Sequence, residues 1–220
     1  QDGTMLWLFL FIIRKKKVCT IHDFMEHNRD ILKKKMLINE LLNKLLVKSK
    51  YQIIIQNKRD YKKVLRNYSS KFTTTLNYIP FGVLHIYRYY YKQSNYDVPK
   101  SDVLYFGRIA PYKGIEYLVK AINQIKQKYN HIHVVIAGGG DFYFDIWSEI
   151  DNNFTIINRF LSNEELVNLI SRTKIVVTPY TEATQSGVVM TAYAFRKPVI
   201  ATNVGGLSEV VLHNETGKVV

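Results

Sequence analysis

Cysteine is almost absent from this chain. Cys19 stands alone among 220 residues, which excludes a disulfide framework and a cysteine zinc site and fits a reducing compartment. A membrane-length apolar run is also missing: the stretch Met5 to Ile13 falls well short of the ~20 residues that cross a bilayer. No basic segment precedes it and no small-residue cleavage site follows it, so it does not read as a secretory signal. It is expected to be a buried helix or strand. Negative charge is scarce as well. The 31 Lys and Arg outnumber 18 Asp and Glu, leaving a net charge of +13. Such a surface favours anions, whether phosphate, nucleic acid or anionic lipid, although lysines solvated along helix backs give the same excess. No internal repeat of fixed period is visible.

What is present is material for a core. Apolar residues make up 47% of the chain, which argues against wholesale disorder and allows one large domain or two small ones. The start at Gln1 and the strand-like close "ETGKVV", with no final helix, suggest a fragment.

"KVCTIHD" (17–23) reads as a buried strand ending in polar residues. A helix with Ile31, Ile38, Leu41, Leu42, Leu45 and Leu46 on one stripe is expected next. "YQIIIQ" (51–56) reads as a strand, "RDYKKVLRNY" as a short helix and "TTTLNYIP" (73–80) as a third strand. The stretch from His85 to Pro99 is rich in Tyr and aperiodic, and a domain boundary is expected there, separating 1–97 from 98–220.

From Ser101 the alternation becomes regular. Strands are expected at 102–107, 132–137, 154–160, 174–178 and 198–202. Helices are expected at 114–129 (Ile115, Leu118, Ile122 and Ile125 on one face), near 141–150, after Ser162, and at 185–196 as an amphipathic segment. Ser162 and Glu165 have the spacing of a capping box, in which each side chain satisfies the other residue's backbone N–H. Alternating β and α units with near-continuous apolar strands imply an α/β fold whose parallel sheet is covered on both faces.

In such a doubly wound sheet, ligands bind outside the carboxyl ends of the strands. Five post-strand segments therefore share one edge: "GRIAPYKG" (107–114), "AGGGD" (137–141), "RFLSNEE" (159–165), "PYTEATQSGVV" (179–189) and "TNVGG" (202–206). They bring Arg108, Lys113, the permissive backbones of Gly107, Gly138 and Gly139, and a helix opening at Gln185-Ser186-Gly187. Backbone N–H groups at a helix start form an anion site, and two fixed cations beside it suit a diphosphate better than a single carboxylate.

These residues resemble a known family. "VLYFGRIAPYKGIEYLVKAI", "HVVIAGGGD" and "PYTEATQSGVVMTAYAFRKPVIATNVGGLSEVV" are similar to the C-terminal domain of glycosyltransferase family 4, of the GT-B fold. "VCTIHD", "YQIIIQ" and "LNYIPFGV" resemble the second half of that family's N-terminal domain. The resemblance implies two Rossmann-like domains facing across a cleft, the first truncated and the second lacking its last helices. It also implies metal-free, retaining transfer from a nucleoside-diphosphate-sugar to a glycan or lipid-linked acceptor in cell-surface polysaccharide or glycolipid synthesis. No cofactor and no nucleic-acid partner would be needed.

By that analogy Arg108 and Lys113 would neutralise the diphosphate, and the N–H groups of Ser186, Gly187 and Val188 would hold the phosphates. The main chain of Arg159, Phe160 and Leu161 would meet the base. His22 would approach the donor sugar, although a strand-end histidine bonded locally reads the same way. Two family glutamates eight positions apart fall here on Ala183 and Thr191. Glu182 lies one residue before the first and would supply the missing charge if the loop shifts by one, and Thr191 offers the ribose only a hydroxyl. Phe81 stands where the family usually has Asn, and the family's N-terminal Gly-rich loop is absent.

Two other readings compete. A non-hydrolysing sugar-nucleotide epimerase of the same fold would need carboxylates and histidines in its cleft, where the C-terminal loops offer Asp141, Glu164 and Glu182. A non-catalytic basic protein binding membrane or nucleic acid would use Lys33, Lys34, Lys35, Lys44, Lys48 and Lys50, with Arg88 and Tyr89 to Tyr91 as its aromatic–cation cluster. The same lysines would suit peripheral contact with anionic lipid at the cytoplasmic face of a membrane.

Overall fold

A computed structural model describes residues 18–21, 52–68, 76–91, 97–129 and 131–220. His22, the run Met5 to Ile13 and the lysine-bearing segment 31–50 lie outside the described residues. The chain divides into two compact units, Gln1–Pro80 and Phe81–Val220. The division falls earlier than the expected break after residue 97. Residues 85–90 form a 3-10 turn packed on helices of the second unit, Leu84 N–H donates to Met190 O (3.3 Å), and Tyr91 meets Phe195 edge-on.

The first unit holds a parallel sheet in the order β1 (Val18–Ile21), β2 (Gln52–Ile55), β3 (Leu76–Tyr78). Ile53 and Ile55 are buried, and helix α1 (Lys58–Tyr68) lays Val64 into the same core. Asn57 starts α1: its Oδ1 accepts the Asp60 N–H at 2.7 Å while its Nδ2 donates to the Asp60 carboxylate at 3.0 Å. This satisfies one of the orphan donors of the first turn.

The second unit is a six-stranded parallel sheet, β4 (Ser101–Phe106), β5 (Val134–Ala137), β6 (Phe154–Ile157), β7 (Thr173–Thr178), β8 (Val199–Ala201) and β9 (Gly217–Val219). Its strand order is β6-β5-β4-β7-β8-β9. Val103 to Phe106 and the whole of β5 are buried, as expected for strands covered on both faces. Helix α2 (Ile115–Ile125) buries Ile115, Leu118, Val119 and Ile122. Ile125, expected on that face, is exposed because it sits in the last turn, past the apolar stripe.

The expected capping box opens α3 (Asn163–Arg172): Glu165 N–H donates to Ser162 Oγ and Ser162 N–H donates to Glu165 Oε2, each at 3.1 Å. Helix α4 (Gly187–Ala194) is not amphipathic. Val189, Met190, Thr191, Ala192 and Ala194 are all buried, the signature of a helix enclosed on most sides. "LSEVV" gives the short α5 (Leu207–Val210).

The helix expected near 141–150 reduces to a 3-10 turn at Ile146–Ser148. Its aromatics pack on one another instead, Phe142 on Phe144 with ring centres 6.1 Å apart and Tyr143 on Phe144 at 5.2 Å. From β4 the chain runs outward through β5 and β6, then returns through α3 to β7 on the other side of β4. The strand order therefore reverses between β4 and β7. In an open α/β sheet the crevice at such a reversal is where ligands bind.

Candidate functional site: a cation-lined crevice at the strand-order reversal

The crevice is built by loops stitched backbone to backbone. Gly107 N–H donates to Ala137 O (3.0 Å), Ile109 N–H to Gly139 O (3.0 Å) and Gly138 N–H to Ile157 O (2.9 Å), tying the ends of β4, β5 and β6 together. Gly138 has φ +147, and a Cβ there would overlap the Gly107 carbonyl, so only glycine lets these turns meet. The loops after β4 and β7 are joined the same way. Thr181 N–H donates to Tyr112 O at 2.9 Å, and a Cβ on Gly114 (φ +63) would run into the Pro179 carbonyl. The loop after β8 braces that after β7: Thr202 Oγ1 donates to Tyr180 O at 2.5 Å.

This stitching sets Lys113 over aromatic rings. Its Nζ lies 3.7 Å from the Tyr180 ring centre and 5.0 Å from that of Tyr112. Tyr180 is 1% exposed, so the ammonium rests on the floor of the crevice. Burial lowers the Lys113 pKa from its ordinary 10.5 to about 8, and the Arg108 guanidinium adds repulsion in the same direction. Arg108 is exposed, and its carbonyl accepts the Tyr105 hydroxyl at 2.7 Å. Two cations thus face one space, an arrangement that an anion would relieve.

Helix α4 opens beside them. Ser186 is buried at its N-cap, where its Oγ accepts the Val189 N–H at 3.4 Å and its carbonyl the Met190 N–H at 3.3 Å. The Gly187 and Val188 N–H groups precede the first intrahelical bond and are left to outside acceptors. Gly107 stands over this turn, since a Cβ there would lie 3.6 Å from Val188 Cγ2. The start of α2 is closed by contrast: Ile115 N–H donates to the Tyr143 hydroxyl (3.1 Å), which donates in turn to Glu116. Of the helix starts that follow β4 and β7, α4 is the one open to an anion.

The family model described as glycosyl transferases group 1 matches residues 100–220, more than half of the chain and nearly all of the second unit. The chain belongs to that family.

Two relatives illustrate it. Alpha-D-kanosaminyltransferase of Streptomyces kanamyceticus is 31% identical over 122 residues, covering 54% of this chain and 32% of the relative. D-inositol 3-phosphate glycosyltransferase of Corynebacterium glutamicum is 33% identical over 130 residues, covering 54% and 31%. The chain therefore spans about a third of the length of the curated relatives it matches. Among solved structures, sucrose-phosphate synthase from Thermosynechococcus elongatus superposes with a TM-score of 0.72 at 23% identity, over 99% of this chain and 58% of that one. WaaG, described as a glycosyltransferase involved in lipopolysaccharide biosynthesis, gives 0.70 at 13%, over 99% and 67%. Anabaena HepE, solved with UDP and glucose, gives 0.69 at 18%, over 99% and 61%. The shared architecture is the GT-B fold.

In this member of the family, Gly107, Arg108, Lys113, Gly138, Ser186, Gly187 and Val188 come together at the crevice. Gly139 lies against the Arg159–Phe160 backbone, where an added Cβ would be 3.5 Å away. The Arg159 side chain turns to Glu165 with two hydrogen bonds of 2.9 and 2.6 Å, so the loop offers its main chain and an exposed Phe160 ring, while Leu161 packs toward the core. Glu182 is exposed on the β7–α4 loop. Thr191 is placed otherwise than at an open edge: it is buried, and its hydroxyl donates to Gly187 O at 2.7 Å within its own helix.

Gln185 Nε2, Thr178 Oγ1 and Tyr180 Oη are buried at this edge without a hydrogen-bond partner. Tyr180 and Tyr112, whose rings hold Lys113, and Thr202, which braces Tyr180, were not among the expected site residues. The one hint was Tyr180's position directly after the strand-ending Pro179. Among the described residues, no cluster of three His, Cys, Asp or Glu side chains could hold a metal ion, and no helix is long and apolar enough to cross a membrane.

Proposed function

We propose that the protein is a retaining glycosyltransferase, moving a sugar from a nucleoside-diphosphate-sugar to a glycan or lipid-linked acceptor in cell-surface polysaccharide or glycolipid synthesis. One observation carries the reading: two cations and the open start of α4 converge on the crevice between β4 and β7. As the bond from the sugar C1 to the β-phosphate oxygen breaks, its electron pair leaves with the diphosphate. Negative charge then grows where Arg108, Lys113 and the Gly187 and Val188 N–H groups point. Preorganised groups of this kind are worth ~3 kcal/mol each at the transition state. Glu182, on the β7–α4 loop, is the carboxylate we assign to the donor sugar.

Relatives named as glycosyltransferases and neighbours solved with UDP support this reading. The epimerase alternative gains nothing from the crevice, whose described residues assemble cations and backbone donors instead of acid–base carboxylates. The basic binding protein finds no support in the family match.

Calorimetry of the full chain against UDP, GDP and ADP tests the proposal. One of them should bind, and Lys113→Ala and Arg108→Ala should each weaken binding by about tenfold or more. Affinity should be level between the phosphate pKa of about 6 and the Lys113 pKa of about 8, then fall as Lys113 loses its proton. Unchanged affinity in both variants refutes the assignment.

A further inference from the structure

We propose that Tyr180 is a positioning residue of the diphosphate site, its buried ring carrying Lys113 and its pinned backbone fixing that ring in the crevice. The inference rests on the diphosphate reading of the crevice. It starts from an anomaly: a phenol 1% exposed whose hydroxyl has no hydrogen-bond partner. An unsatisfied buried hydroxyl is costly, and a native fold keeps one where something else is gained.

The surroundings of Tyr180 show what is gained. Above the ring lies Lys113 Nζ, 3.7 Å from its centre, closer than the 5.0 Å to Tyr112. No carboxylate pairs with Lys113 in any described ion pair or hydrogen bond, so the negative face of the ring is what holds the ammonium in the crevice. Further along the same loop, Ser186 caps α4 through a long 3.4 Å bond. The ring therefore carries the cation on the same loop that leads into the α4 start, the two groups that would grip neighbouring phosphates.

The backbone of Tyr180 is fixed as firmly. Thr202 Oγ1 donates to its carbonyl at 2.5 Å, and the neighbouring Thr181 N–H donates to Tyr112 O at 2.9 Å. A lysine with four rotatable bonds would otherwise sample many positions. Holding it in the binding geometry before the donor arrives lowers the ordering cost of binding. The ring is thus expected to act on donor binding through Lys113, with no contact to the donor required.

The test is a double-mutant cycle on UDP affinity, read by calorimetry on the full chain, with circular dichroism to check folding. Tyr180→Leu should weaken UDP binding by about tenfold, by loss of the cation–ring attraction. Tyr180→Phe keeps the ring and should restore most of the affinity, leaving a deficit of about threefold or less from the lost hydroxyl. In the background of Lys113→Ala, Tyr180→Leu should cost little more, because coupled residues do not add. A residue that merely filled the core would weaken binding by the same factor whether or not Lys113 is present. Additive losses, or a Tyr180→Leu variant that binds UDP like the unaltered protein, overturn the inference. If Lys113→Ala itself binds normally, the diphosphate reading fails first, and the two failures are distinguishable. Should Tyr180→Leu fail to fold, Tyr180→Met fills more of the volume and takes its place in the same cycle.

Discussion

Replacing Lys113 with methionine should make the protein more stable and less able to bind a nucleoside diphosphate. The Lys113 pKa falls from 10.5 to about 8 in the folded protein, chiefly because the ammonium loses water. At about 1.4 kcal/mol per pH unit, keeping it charged costs about 3 kcal/mol. Attraction to the Tyr180 ring returns about 1 kcal/mol. Methionine removes the charge but fills the same volume over the ring and keeps a favourable sulfur–aromatic contact. A net gain of about 2 kcal/mol is therefore expected at pH 7.

The sign of the pH dependence follows from the depressed pKa. Between pH 8 and 10.5 the unfolded chain holds a proton on Lys113 that the folded protein has released, so stability of the unaltered protein rises with pH across that window. The advantage of Lys113→Met should accordingly be full below pH 8 and shrink toward zero near pH 10. The tyrosines whose pKa values are raised by burial, Tyr105, Tyr143 and Tyr180, titrate in both proteins and cancel in the difference. Urea unfolding at several pH values, followed by circular dichroism, measures the gap. A variant less stable at pH 7, or a gap that stays constant with pH, would refute the reasoning. A gain in stability at the expense of binding is the usual exchange at a site built for a charged ligand.

Two further outcomes test the framework around the site. Lys197 Nζ donates to the carbonyls of Ser171 (2.8 Å) and Thr173 (2.7 Å), where α3 gives way to β7; Lys197→Met should cost about 2 kcal/mol in urea unfolding. Gly205 has φ +55, and a Cβ there would overlap the Ala183 carbonyl, so Gly205→Ala should cost about 2 kcal/mol or more and lower the melting temperature. Gly82→Ala, where a Cβ meets open space, should stay within about 0.5 kcal/mol and serves as its control.

The sequence alone determined what depends on near neighbours. Unbroken apolar runs such as "VVIA" made buried parallel strands, because each residue there lies against a covered face. The Ser162–Glu165 box marked the start of α3, because capping closes within one turn. The parallel β/α alternation also placed five loops on one edge, which was enough to single out Arg108, Lys113 and the start of α4 as candidates. The family motifs then pointed to the same residues.

Only the tertiary structure decided which of those loops touch. That β4 lies beside β7 is a matter of strand order, and it alone puts Lys113 on the ring of Tyr180, far along the chain. The same holds where expectation and structure part. Tyr143 leaves the expected helix at 141–150 to cap α2, and α4 is enclosed on most sides instead of lying half exposed. Residues 85–90 join the second unit because they pack on its helices. Each of these is settled by contacts between segments distant in sequence, and local periodicity carries no information about them.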